Sequence, residues 1–123
     1  MARVLYLDDD AALVALLTRL LERLGHSVTG FTSAAEAIAV FKALPSQFDV
    51  VITDMSMTGM SGIDFAKQVL KIKPDAVVAI ATGSEEPNWA AHARSLGVRA
   101  VIEKPADATK LAALVAALVP AND

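Results

Sequence analysis

Five short apolar runs alternate strictly with five stretches in which apolar residues recur at helical spacing, and this alternation constrains the fold more than any other feature. The first run, Val4-Leu5-Tyr6-Leu7, stops abruptly at three aspartates. It reads as a strand buried on both faces, as parallel sheets require. Leu13, Leu16, Leu17, Leu20, Leu21 and Leu24 then mark a helix, which Gly25 ends because glycine tolerates a left-handed turn. Residues 26–31 make a second strand. Thr32 or Ser33 caps the next helix, and Glu36, three residues after Ser33, completes a capping box. Ala37, Ile38, Phe41 and Leu44 form that helix's apolar stripe, and Pro45 follows its end.

Val50-Val51-Ile52-Thr53 is the third strand and also ends in an aspartate, Asp54. A loop rich in Met and Gly leads to a helix through Ile63, Phe65, Ala66, Val69 and Leu70. Residues 76–81 are the fourth strand, closed by Thr82-Gly83-Ser84. Pro87 suits the first turn of a helix running to about Leu96. Gly97 breaks that helix, residues 99–102 make a short fifth strand, and Leu111, Leu114, Val115 and Leu118 carry the last helix. Strands alternating with helices argue a parallel sheet covered on both faces, and right-handed crossovers leave few topologies. The expected fold is α/β: a three-layer, flavodoxin-like (βα)5 unit with strand order 2-1-3-4-5.

The 123 residues fit one domain, taken as 1–123, and 54% hydrophobic content can fill a core. The chain has no cysteine, which excludes disulfides, thiolate metal sites and cysteine nucleophiles. Its two histidines, His26 and His92, offer no metal-ligand spacing. A net charge of -3 gives no basic nucleic-acid footprint. No apolar run approaches the ~18 residues a membrane span needs, and the apolar run after Arg3 stops too soon for a signal peptide. A cytoplasmic protein with no nucleic-acid or membrane partner is expected.

Polar residues gather at the carboxyl ends of four strands. Asp8, Asp9 and Asp10 follow the first, Asp54 ends the third, Thr82 follows the fourth and Lys104 the fifth. Ligands of open parallel sheets bind at that edge. With the first and third strands adjacent, Asp8, Asp9 and Asp54 should share one pocket, where their mutual repulsion calls for protonation or a bound cation. Oxygen ligands without His or Cys suit a hard ion such as Mg2+. Carboxylate, divalent cation, lysine and hydroxyl together meet the needs of phosphoryl transfer, with a carboxylate as nucleophile. Singly, each residue has a plainer reading: an aspartate capping the first helix, a threonine in a turn, a solvated lysine before Pro105, loop serines at 56 and 84. Capping accounts for Asp9 or Asp10 but not for all three aspartates.

Over essentially its whole length the sequence resembles response-regulator receiver domains. The likeness rests on Leu7-Asp8-Asp9-Asp10, the stretch from Asp54 through Ser56 and Gly59 to Gly62, Ala81-Thr82-Gly83, and Glu103-Lys104-Pro105. The resemblance implies that Asp54 is the phosphoacceptor and that Asp9 ligates Mg2+ (or Mn2+) directly. It gives Asp8 a direct or water-mediated share, with Asp54 and the Ser56 carbonyl completing the protein ligands. Lys104 would pair with one phosphoryl oxygen, and Thr82 would donate its hydroxyl to another and move inward. Donors in the family are a phosphohistidine on a sensor histidine kinase or a histidine phosphotransfer protein, or small phosphodonors. The resemblance also implies that the domain would catalyse its own phosphorylation and slower dephosphorylation.

The chain departs from the family pattern at Thr58, usually Pro, at Val101, usually an aromatic switch residue, and at Ala106, often Phe. Switching is then expected to use the segment from Thr82 to Trp89. In the family the positions two residues after the phosphoacceptor and the threonine gate hydrolytic water; the resemblance implies that the small Ser56 and Ser84 leave that route open and that the phosphorylated form lasts minutes. The chain reads either as a stand-alone regulator contacting a downstream protein target or as the receiver of a hybrid histidine kinase. Ala112, Ala113, Ala116 and Ala117, expected on the outer face of the last helix, are either good helix formers or a contact surface for a homodimer mate or a further domain. Two rivals are an interaction module that keeps the pocket without phosphorylation, and a haloacid-dehalogenase-like phosphatase using Asp8. The phosphatase lacks its family's Thr or Val at Ala12 and its late acidic pair.

Overall fold

The computed structural model describes residues 3–57, 59–83, 88–103 and 108–118. Its elements are β1 (Arg3–Leu7), α1 (Ala11–Arg23), β2 (Ser27–Phe31), α2 (Ala34–Ala43), a 3-10 turn (Pro45–Gln47), β3 (Val50–Asp54), α3 (Gly62–Ile72), β4 (Val78–Thr82), α4 (Trp89–Ser95), β5 (Ala100–Glu103) and α5 (Ala108–Ala117). The five strands pair in the order β2-β1-β3-β4-β5, all parallel. This is the three-layer flavodoxin-like fold expected from the alternation.

Two cores lie on opposite faces of one sheet, because successive strand residues point opposite ways. Leu5, Leu7, Val51, Val78 and Ile80 pack under α2, α3 and α4 with Phe41, Phe65, Val69 and Ala93. Val4, Tyr6, Val50, Ile52, Ala79 and Ile102 pack under α1 and α5 with Val14, Leu17, Leu21 and Ala112. The apolar runs are continuous because both faces need filling. Each fully buried Leu or Ile contributes about 1.5–3 kcal/mol by leaving water. Three helices begin on side-chain caps: Asp10 accepts from the Leu13 amide at 3.2 Å, Ser33 from Glu36 at 3.3 Å, and Ser61 from Asp64 at 3.1 Å. Gly25 closes α1 at φ +92° and Gly97 closes α4 at φ +109°, conformations that disfavour a Cβ.

Several expectations need correction. The leucine recurrence does mark α1, but its burial is uneven: Leu17 and Leu21 are buried with Val14, while Leu16 and Leu24 are 40% and 54% exposed. Leucine occupies more of the circumference than the sheet can cover, so its recurrence overstates the buried face. Leu44, assigned to the α2 stripe, is 52% exposed because α2 stops at Ala43 and the chain turns at Pro45. β4 starts two residues later than expected and includes Thr82, and β5 and β3 run one residue further, to Glu103 and Asp54. α4 is described from Trp89, with Pro87 outside the described residues. Ala112, expected outside, is 2% exposed in the α1–α5 core, whereas Ala113 and Ala117 are exposed. The side chains of Leu111, Leu114, Val115 and Ala116 are outside what the structure describes. Trp89 packs on the α2–α3–α4 side, away from α5.

Candidate functional site

The last paired residues of β1 and β3 are Leu7 and Thr53, so the next residue on each strand, Asp8 and Asp54, emerges side by side at the carboxyl edge. Asp8 continues the ladder by donating its amide to the Phe31 carbonyl at 3.1 Å. The three aspartates then diverge. Asp8 is buried, 1% exposed; Asp9 is exposed; Asp10 turns its carboxylate back to cap α1. Carboxylate oxygens of Asp8, Asp9 and Asp54 all lie within 4.8 Å of one another.

Asp8 is held from two sides. The Tyr6 hydroxyl donates to its Oδ2 at 3.0 Å, and the Asp10 amide donates to its Oδ1 at 3.0 Å. Tyr6 is two residues before Asp8 and so shares its face of the sheet. Burial pushes the Tyr6 phenol well above its ordinary value, and the negative charge and hydrogen bond of Asp8 add to the effect. The phenol therefore stays a proton donor.

Asp54 is half-buried and takes a backbone donor. Its Oδ1 accepts from the Met55 amide at 3.0 Å, and Met55 donates its amide to Ala81 at 2.9 Å. Thr53, fully buried, donates its hydroxyl to the Asp54 carbonyl at 2.9 Å. Gly62 closes the loop: its amide donates to the Met55 carbonyl at 2.7 Å, and a Cβ there would overlap the Asp54 carbonyl oxygen. Thr82 is buried at the end of β4, in register with Glu103. Ser56 is exposed in the loop after β3. Thr58, Ser84, Lys104, Pro105 and Ala106 lie outside the described residues.

The structure thus brings Asp8, Asp9 and Asp54 together and puts Thr82 at the same sheet edge. Sequence reasoning missed Tyr6, Thr53, Ser61 and Gly62 as contributors. Tyr6 carried a signal, a hydroxyl in an aliphatic strand at the same-face position to Asp8. The Gly62 contact depends on loop closure and left none. Chemically, the cluster is an all-oxygen donor set with no nitrogen or sulfur among its side chains, which fits a hard divalent cation. Asp9 leaves it open to solvent.

Residues 4–116 match the family model of the response regulator receiver domain. The chain belongs to that family. The receiver is 32% identical over 104 residues to the chemotaxis protein CheY of Thermotoga maritima, covering 84% of this chain and 85% of that protein. It spans 14% to 52% of the length of several other curated relatives. A receiver domain protein from Clostridium thermocellum superposes with a TM-score of 0.86 at 31% identity, over 96% of this chain and 94% of that one. A response regulator protein from Burkholderia pseudomallei, solved with a phosphorylated aspartic acid, a calcium ion and citrate, gives a TM-score of 0.80 at 25% identity, over 94% and 66%. As a two-component receiver, this chain is a phosphorylation-dependent signalling domain, and neither rival reading is favoured. No helix among the described residues is long and apolar enough to cross a membrane.

Proposed function

We propose that the receiver, taken as the unit 1–123, accepts a phosphoryl group on Asp54 from a phosphohistidine of a sensor histidine kinase or histidine phosphotransfer protein, in the cytoplasm. The convergence of Asp8, Asp9 and Asp54 within 4.8 Å at the strand ends carries the proposal. The relative that holds a phosphorylated aspartic acid and a divalent cation supports it. An Asp54 carboxylate oxygen attacks phosphorus, the phosphorus–nitrogen bond breaks, and the imidazole leaves with the electron pair. Water later attacks the acyl phosphate and releases inorganic phosphate. Asp8, Asp9, Asp54 and the Ser56 carbonyl hold Mg2+, for which Mn2+ substitutes, and when bound the ion neutralises charge on the phosphoryl oxygens. Lys104 pairs with one of those oxygens and the Thr82 hydroxyl donates to another.

Switching without an aromatic ring at Val101 rests on Thr82 and the segment that follows it, and it presents the changed surface to a downstream protein target. The test is Mg2+-dependent incorporation of phosphate from acetyl phosphate. Incorporation that Asp54→Asn abolishes supports the proposal. A phosphoryl group found on Asp8 would instead restore the phosphatase reading, and no incorporation at all would leave an interaction module.

A further inference from the structure

We infer that Tyr6 is a positioning residue for divalent-cation binding, acting through Asp8; the inference rests on the metal-assisted reading proposed above. The ring is fully buried in the layer formed with Val4, Val14, Leu17 and Ile52 beneath α1 and α5. A phenol fixed there has no freedom to leave its partner. Its hydroxyl meets Asp8 Oδ2 at 3.0 Å, while the Asp10 amide meets Oδ1 at 3.0 Å. Both oxygens of one buried carboxylate are thereby fixed by groups that do not themselves bind the ion. A carboxylate offers about four acceptor sites, and these two bonds take one on each oxygen.

The consequence is preorganisation. A carboxylate free to rotate loses that freedom when an ion binds, whereas Asp8 loses it on folding. Such supporting partners of metal ligands are worth about 10–100-fold in affinity. Asp9 is exposed, whereas Asp8 is buried and takes the phenol of a fully buried ring, so a core side chain sets the geometry of this carboxylate. An aliphatic residue at position 6 would fill the same core and leave Asp8 without this donor.

The experiment titrates Mn2+ into the intact chain by calorimetry and by the electron paramagnetic resonance signal of the free ion. Unfolding in EDTA is followed alongside. Tyr6→Phe, which keeps the ring, is expected to raise the Mn2+ Kd about tenfold. Val14→Ala, which loosens the same core layer without touching Asp8, is expected to lower the unfolding midpoint and leave the Kd unchanged. If Tyr6→Phe does not fold, Tyr6→Met carries the same expectation. A Kd for the Tyr6 variant within twofold of the parent overturns the inference, as does an equal change in Val14→Ala. Failure of the underlying reading looks different: the parent chain would bind no Mn2+ saturably, or Asp54→Asn would bind it as the parent does.

Discussion

Asp8 and Asp54 stand beside each other on adjacent strands, yet they differ in burial and in donors: a core phenol meets Asp8, and a neighbouring amide meets Asp54. Asp8 is buried and gripped by a phenol rising from the core. Asp54 is half-buried and oriented by the amide of its own neighbour, with Gly62 pressed against the peptide behind it. The difference follows from what each must do. An acceptor has to meet an incoming phosphoryl donor, so it needs an open side and a rigid backbone. A carboxylate that only helps to hold a cation can be enclosed. Under the proposed function, exposure matches this division, with the half-buried Asp54 as the reacting group and the buried Asp8 as the supporting one.

The widest separation appears when each aspartate becomes asparagine. Asp54→Asn removes the nucleophilic oxygen, and no label from acetyl phosphate is expected at any metal concentration. Asp8→Asn leaves the nucleophile intact and weakens the cation site, by about tenfold or more. Its labelling should fall at limiting Mn2+ and recover as Mn2+ rises. If Asp8→Asn stays unlabelled at saturating metal, the division of labour between the two aspartates is wrong.

Gly62→Ala tests the backbone support of Asp54. Helix propensity alone would favour alanine by about 0.8–1 kcal/mol in a helix interior. Here the new Cβ meets the Asp54 carbonyl oxygen and lies 2.9 Å from the Met55 Cα, backbone atoms that cannot swing away. Overpacking of this kind costs about 1–3 kcal/mol, so the net change in urea unfolding should be a loss. Labelling of Asp54 should slow while Mn2+ still binds. A stabilised variant would show that the turn yields easily and does not position the acceptor.

The Asp8 side has its own signature in pH. The unfolded chain releases the Tyr6 proton near the ordinary value of 10, whereas the folded chain keeps it to higher pH. Above pH 10 the unfolded state binds fewer protons, so stability falls as pH rises, by up to about 1.4 kcal/mol per pH unit for one proton. Below pH 10 this contribution is fully present. Tyr6→Phe in EDTA should give a flatter alkaline stability curve than the parent chain. Parallel curves would mean that Tyr6 ionises in the folded protein as readily as in the unfolded one.

The same contrast shows what the sequence carried. Alternating runs marked five strands, and their polar ends marked Asp8, Asp9 and Asp54, because strand ends in a parallel sheet share one edge. Period two even put Tyr6 on the face of Asp8. Whether its hydroxyl reaches a carboxylate depends on how deeply α1 seats on the sheet, which no local pattern encodes. The Gly62 contact needs a loop to close across seven intervening residues, and the buried side of α1 was hidden by leucines on more than one face. Local periodicity transmits faces and edges; contacts made by loop closure and helix seating arise only in the assembled fold.

Asp10 gives the finest test, because it looks like its two neighbours in sequence and does something else. Its carboxylate accepts from the Leu13 amide at 3.2 Å, while its own backbone amide serves Asp8. Replacing the side chain leaves that amide in place, so the support of Asp8 should survive. Asp10→Ala loses the cap and should lower stability by about 1 kcal/mol. Asp10→Ser keeps a capping oxygen while removing the charge, and its stability should stay within a few tenths of a kcal/mol of the parent. Neither variant should shift the Mn2+ Kd more than about twofold, since Asp10 is outside the group of converging carboxylates. If the two variants weakened Mn2+ binding equally and strongly, the charge of Asp10 would be part of the cation site, and the boundary between capping and ligation would lie between Asp10 and Ala11 rather than between Asp9 and Asp10.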